Sequence, residues 1–336
     1  MSCVAPCGRE TSLGIFDPRL TYNPFEYQFA YDVWMKQQQM HWLHTEISMA
    51  SDISDWKTKL TEAEKGVIGG VLKGFTIAEL VIGNNFWSEI VQKRIKKPEI
   101  QMAACTIASM ETVHCAAYAQ LNTSLGIEDF DAFLHEPSAK AKIDRLMETK
   151  GNNRKELVRS IAIFSAFNEG VSLFSAFAIL MSFSRRDLLK GVGEIVAYSV
   201  RDESMHSDFG CWLFRQIMEE YPEMRTEDLK EDIYESARLT VELEDKFTDH
   251  CFSFGDIQGI DSNDIKQYIR HRTNTKLGDL GYGSNWKNVD KESVVKITSW
   301  FDVMTAGDTR QDFFSGRETG YNKGRDFDEM WKGNWK

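Results

Sequence analysis

The sequence predicts an all-α protein. Helical periodicity dominates from about Phe25 to Phe301, strand signals are scarce, and two Glu-x-x-His motifs recur at matched intervals. The motifs are Glu111-Thr-Val-His114 and Glu203-Ser-Met-His206. A helix turns about 100° per residue, so Glu and His three apart share one face. Glu79 lies 32 residues before Glu111, and Glu169 lies 34 before Glu203. Each interval fits two antiparallel helices and a turn, so each motif helix follows a helix with one inward Glu. Four helices that converge in this way place four carboxylates and two imidazoles inside a four-helix bundle, the ligand set of a dinuclear metal site. With 7 histidines in 336 residues, chance supplies on the order of half a Glu-x-x-His match.

The elements follow in order. Residues 1–24 read as an N-terminal arm, irregular from Asp17 to Asn23. A helix is expected from about Phe25 to Met40. Thr61-Glu62-Ala63-Glu64 is a capping box that opens a long helix ending near Lys97, before Pro98. The next runs from about Pro98 to Leu125 and stops at Gly126. Further long helices fit Lys155 to Phe183, Arg186 to Glu220 and Thr226 to Phe254, with shorter ones up to about Phe301. No Ser- or Pro-rich linker divides this stretch, so residues 25–305 read as one helical domain. From Ala306 the composition shifts to Gly, Asp, Arg and aromatics, as in a flexible tail over residues 306–336.

Composition narrows the function. The chain is 42% hydrophobic with a net charge of −11, and no basic run exceeds Lys93-Arg94-Ile95-Lys96-Lys97. Neither nucleic acid nor an anionic membrane is expected as a main partner. Ile161 to Phe183 carries a single charge, Glu169, and its length suits a membrane span. The central Glu, the flanking charges and the lack of other spans favour a helix buried within a bundle. Six cysteines form no Cys-x-x-Cys pair, and Met1 to Leu20 has no signal-peptide core, which points to reduced thiols in the cytoplasm. There is no Gly-x-x-x-x-Gly-Lys-Ser/Thr loop and no Gly-x-Gly-x-x-Gly after a strand, so a nucleotide site is not expected here.

Glu79 and Glu169 sit in near-chargeless surroundings that offer no Lys or Arg. Buried carboxylates without a partner are strongly unfavourable, so a cation is the natural compensation. Oxygen and imidazole donors suit iron or manganese. Tyr118 follows Glu111 by seven residues and His114 by four, on the same helix face. Leu173 and Phe177, at +4 and +8 from Glu169, are expected to extend the metal-facing stripe and shield the phenol. A shielded phenol beside an oxygen-activating metal pair is a candidate for one-electron oxidation. Asp202 makes sense as the carboxylate that receives the second N–H of a metal-bound imidazole.

Glu111-Thr-Val-His114-Cys-Ala-Ala-Tyr118 and Ser199-Val-Arg-Asp202-Glu203-Ser-Met-His206 resemble the small, radical-generating (beta) subunit of class I ribonucleotide reductase, in the ferritin-like superfamily. The similarity runs from about Phe25 into the tail. It implies a ferritin-like bundle with additional helices and a dinuclear centre held by Glu79, Glu111, His114, Glu169, Glu203 and His206. It further implies a radical-bearing Tyr118, a tryptophan at Trp42, and a carboxylate at Asp202 that orients His114. Asp312 to Tyr321 resembles the family's C-terminal stretch, which places Tyr321 on the radical route to the large subunit. A homodimer is expected on the same ground. The first ligand is more often Asp in this family. Glu79 is one methylene longer, and some subgroups with Glu there resemble manganese or mixed-metal enzymes. Iron, manganese and a mixture are all compatible with these donors, and the oxidant is carried either by Tyr118 or by the metal cluster.

Two other readings use the same donors: a bundle oxygenase or desaturase, and an iron-storage protein. Storage requires many ions per chain. Metal analysis of the purified protein is expected to give about two ions per chain, and a large excess would indicate storage.

Overall fold

The computed structural model describes residues 14–128, 137–147 and 150–305. The expected tail at residues 306–336, Tyr321 included, and the first part of the arm lie outside the described residues. Residues 14–27 carry no helix. Glu99 pins this segment: it accepts from the Arg19 guanidinium at 2.7 Å and from the backbone N–H groups of Glu26 and Tyr27 at 2.8 and 2.9 Å.

Helix α1 spans Gln28–Gln39 and α2 spans Ala50–Thr58, with one 3₁₀ turn, His44–Glu46, between them. Helix α3, Glu62–Val81, opens with the reciprocal cap that the sequence implied, Thr61 N–H to Glu64 at 3.0 Å and Glu64 N–H to the Thr61 hydroxyl at 3.2 Å. It then widens into π turns over Ile82–Gln92. Helix α4, Pro98–Leu125, starts on a proline and stops at Gly126, whose φ of +67° suits glycine. Helix α5 is Pro137–Met147, and α6 is Arg154–Ile163, continued by π turns over Phe164–Glu169. Then come α7, Phe174–Ser184, and α8, Lys190–Glu220. Helices α9, Glu227–Phe252, α10, Ser262–Asp279, and α11, Lys291–Thr305, complete the order. The described residues contain no strand, only an isolated bridge between Ile257 and Ile260.

Helices α3, α4, α6–α7 and α8 form the inner bundle, and the remaining helices pack around it. The apolar stretch within Arg154–Ser184 is 94% buried inside the protein, which is the expected core position for a run of this composition. None of the four cysteines among the described residues, Cys105, Cys115, Cys211 and Cys251, forms a disulfide.

Two helix boundaries depart from expectation. The single helix expected from Lys155 to Phe183 is broken between Glu169 and Phe174. The Ser172 N–H reaches back five residues to Phe167 at 2.8 Å, and the freed carbonyl of Gly170 accepts from Arg272 of α10 at 2.5 Å. A side chain at Gly170 would also meet the Ser207 hydroxyl at 2.7 Å. Each π turn inserts a residue, which a 3.6-residue period cannot register. The second shift moves the start of α8 from Arg186 to Lys190. Asp187 and Leu189 adopt left-handed φ values of 63° and 49°. The first N–H groups of α8 are capped from α2: Asp52 accepts from Gly191 and Val192 at 3.0 and 2.8 Å, and Asp55 from Leu189 at 3.0 Å. No local cap signal exists because the cap is supplied by another helix.

Close approach of α6 and α8 depends on Gly210, where a Cβ would lie 2.3 Å from the Cβ of Ser165. Gly210→Ala is expected to destabilise the protein by about 1–3 kcal/mol through overpacking. Thermal unfolding should show a midpoint lowered by a few degrees.

Candidate metal centre

All six residues singled out by motif and spacing meet in the interior. Glu79 comes from α3, Glu111 and His114 from α4, Glu169 from the last π turn of α6, and Glu203 and His206 from α8. Each is at most 1% exposed. Donor atoms of Glu79, Glu111, His114 and Glu203 lie within 4.8 Å of one another, as do those of Glu111, Glu169, Glu203 and His206. Glu111 and Glu203 belong to both groups, the position of bridging carboxylates.

The donors are poorly satisfied by the protein. Both oxygens of Glu79 and of Glu203, Oε1 of Glu111, Oε2 of Glu169 and Nδ1 of His206 are buried without a well-formed hydrogen bond. Orphaned buried acceptors on this scale are destabilising unless cations complete them. The residues therefore fit two hard or borderline cations with oxygen and nitrogen ligands.

Both imidazoles turn Nδ1 towards the carboxylates and Nε2 away from them. His114 Nδ1 lies 3.0 Å from Glu203 and 3.1 Å from Glu111, and His206 Nδ1 lies 3.0 Å from Glu111. On the far side, His114 Nε2 is 3.3 Å from Asp202 and His206 Nε2 is 3.1 Å from the Gln37 carbonyl oxygen. A neutral ring that donates from Nε2 keeps its Nδ1 lone pair for a cation. Asp202 is a hub, fully buried. It accepts from Trp42 Nε1 at 2.8 Å and from Gln37 at 3.2 Å, with Arg201 at 3.5 Å. The expected Trp42, Asp202 and His114 thus share one hydrogen-bonded line into the cluster.

Tyr118 is fully buried, its ring centroid 6.3 Å from that of His114. Its hydroxyl makes no well-formed hydrogen bond among the described residues, and the Ser199 side chain is a polar neighbour. The shield differs from expectation. Phe75 of α3 stacks on the phenol at 4.7 Å, and Phe177 packs behind Phe75 at 5.2 Å. Leu173 lies in the break before α7. Burial and the nearby Glu79 carboxylate hold the phenol pKa well above its ordinary value, so the hydroxyl stays protonated.

Two functional neighbours were not found from the sequence. Trp87, fully buried, donates from Nε1 to Glu169 at 2.6 Å. Gln37 joins His206 to Asp202. Trp87 stands eight residues after Glu79 and Gln37 five before Trp42. Neither spacing distinguishes a partner of the site from ordinary packing.

The charges are coupled. Burial, then the proximity of Glu203, pushes Glu79 and Glu169 well above the usual carboxylate range. For His114, burial is outweighed by contacts with Asp202, Glu111 and Glu203, and its pKa is well raised. His206 is raised to about 9 because Glu111 and Glu203 outweigh burial. Glu203 is lowered, since burial is outweighed by Glu169 and the two imidazoles. Without cations the cluster therefore stores protons on the raised groups.

A helical bundle with four buried carboxylates and two imidazoles in two overlapping sets defines the class of ferritin-like proteins built around a dinuclear centre. The model of the family described as ribonucleotide reductase, small chain, matches residues 19–292. The chain is 30% identical over 325 residues to a probable ribonucleoside-diphosphate reductase small subunit of Invertebrate iridescent virus 3, covering 91% of this chain and 85% of that one. It is 31% identical over 274 residues to the ribonucleoside-diphosphate reductase subunit beta of Chlamydia pneumoniae, covering 77% and 79% of the two. Among solved structures, the ribonucleotide reductase R2 subunit of Clostridium botulinum has the same fold, with a TM-score of 0.76 at 19% identity over 85% of this chain and 90% of that one. A dimanganese(II) NrdF from Streptococcus sanguinis gives a TM-score of 0.72 at 23% identity, over 84% and 100%. The chain belongs to the ribonucleotide reductase small-chain family.

Two outcomes follow from the geometry. Asp202→Ala removes the acceptor that Trp42, Gln37 and His114 share, and is expected to weaken metal binding by about 10–100-fold in a chelator competition. Groups with raised pKa keep their protons below the folded value, so cations compete with protons at low pH. Metal affinity should rise as pH climbs towards about 9, the value for His206, and loading should release protons measurable in weakly buffered solution.

Proposed function

We propose that this chain is the small, radical-generating subunit of a class I ribonucleoside-diphosphate reductase. The observation that carries the reading is the convergence of six buried donors with a shielded phenol and the Asp202–Trp42 line, both beside His114. Glu79, Glu111, His114, Glu169, Glu203 and His206 would hold two metal ions, with Glu111 and Glu203 shared between them. We assign iron; the longer side chain of Glu79 makes manganese or a mixed pair the alternative. Bound there, the ions supply the oxidising power drawn from an oxygen species.

The chain's own residues then do four things. Phe75 and Phe177 exclude water from Tyr118, so that a one-electron oxidised phenol is protected from solvent. Its hydroxyl, without a well-formed hydrogen bond among the described residues, is held close to the donors by the fold. Asp202 fixes the ring of His114 and the indole of Trp42 together, and Arg201 continues the line to the Met40 carbonyl. Tyr321 in the tail would pass the oxidising equivalent to the large catalytic subunit, where the ribonucleotide is reduced to a deoxyribonucleotide. A homodimer is part of this proposal.

One observation favours a second reading, a bundle oxygenase. An apolar cavity lined by Val71, Phe75, Leu173, Ala176, Leu243 and Phe247 lies behind the ring that covers Tyr118. Such an activity needs neither Tyr321 nor a partner.

Deleting the chain after Gly320 is expected to abolish ribonucleotide reduction with the large subunit while metal content stays unchanged; an oxygenase would lose nothing. Tyr118→Phe should remove the tyrosyl radical signal seen by electron paramagnetic resonance and abolish turnover. Full turnover without that signal would place the oxidant on the metal cluster.

A further inference from the structure

A second line of rings leaves the metal centre from Glu169. Trp87 donates its indole N–H to Glu169 at 2.6 Å, and its ring lies edge-on to His206 at 6.5 Å. Phe209 of α8 stacks on Trp87 with centroids 5.8 Å apart, and Trp212, one turn along α8, stacks on Phe209 at 5.9 Å. Trp87 and Phe209 are fully buried. Trp212 is half-buried and reaches the wall of a surface cleft, where it meets Phe29 at 5.1 Å and Tyr27 at 6.3 Å. Packing alone accounts for stacked rings in a core. It does not account for an array whose inner indole is hydrogen-bonded to a carboxylate of the centre and whose outer indole touches solvent.

We propose that Trp87, Phe209 and Trp212 form an electron-entry route from the surface to the metal centre, separate from the Trp42–Asp202 line. This rests on the functional reading above. With the centre loaded and oxidised, the Trp87 indole would give up one electron to it. A second crosses from Trp212 through the ring of Phe209 and restores Trp87. A small outer-sphere donor of the ascorbate class restores Trp212, loses one electron and gives its proton to water. No bond in the protein is made or broken, and the Trp87 N–H remains on nitrogen, where the Glu169 carboxylate stabilises the transient positive charge. The route gives the protein a way to take up single electrons while the Trp42 line serves the partner subunit.

The test uses full-length, metal-loaded protein in a Trp42→Phe background, so that the first line does not mask the second. Trp212→Phe and Phe209→Leu lie away from the ligands, and Trp34→Phe, a tryptophan outside the array, is the control. Metal content and the amount of oxidised centre are measured first; if no oxidised centre forms in the unmodified protein, the functional reading fails. If it forms, its reduction by ascorbate is followed in stopped flow. Trp212→Phe and Phe209→Leu should each slow reduction by at least about tenfold, and Trp34→Phe should not. Freeze-quenched paramagnetic resonance of Tyr118→Phe protein with ring-deuterated tryptophan should show an indole radical distant from the metals, absent in Tyr118→Phe/Trp212→Phe. Reduction rates equal in all variants, or an unchanged radical signal without Trp212, would overturn the route.

Discussion

The interior of this protein holds more acidic groups than a dry core tolerates. Four carboxylates and two imidazoles, each at most 1% exposed, crowd into two overlapping sets with donors within 4.8 Å. Burial alone would neutralise them or unfold the bundle, since it pushes the carboxyls of Glu79 and Glu169 well above their ordinary range. Two bound cations relieve the same strain more completely. Other features of the inner bundle follow from bringing six side chains from four helices to one point and holding them there.

Holding them requires departures from regular helix. The π turns over Phe164–Glu169 and the break after Glu169 place that side chain where an unbroken α-helix would not. The π turns of Ile82–Gln92 likewise follow Glu79 and bring Trp87 against Glu169. Gly83 and Gly170 sit where backbones come close, a Cβ at Gly83 meeting that of Glu111 at 2.9 Å. Around the donors, Asp202, Gln37 and Trp87 orient ligands through hydrogen bonds of 2.6 to 3.3 Å. Such partners set both ring direction and basicity, so the centre extends well beyond its six donors.

Two chemically distinct surroundings meet at His114. Tyr118 lies against Phe75 in an apolar wall, suited to keeping an oxidised phenol from water. Trp42 and Asp202 lie on a polar line that leads out past Arg201 and Met40.

Much of this was legible in the sequence because it depends on local spacing. Glu-x-x-His at Glu111 and Glu203 works through helix geometry alone, and intervals of 32 and 34 residues identify Glu79 and Glu169 through hairpin length. Asp202 was legible through the family resemblance, in agreement with the need of a metal-bound imidazole for an acceptor. Contacts between distant segments left no such trace. The cap of α8 by Asp52 and Asp55, the Phe75 shield on Tyr118, the Gln37 bridge and the Trp87 bond to Glu169 join residues that no period relates. The sequence determined which donors exist and which helix face carries them, because those follow from bonds a few residues apart. Which partners surround those donors, and where the helices had to break to admit them, was decided only when the helices packed together.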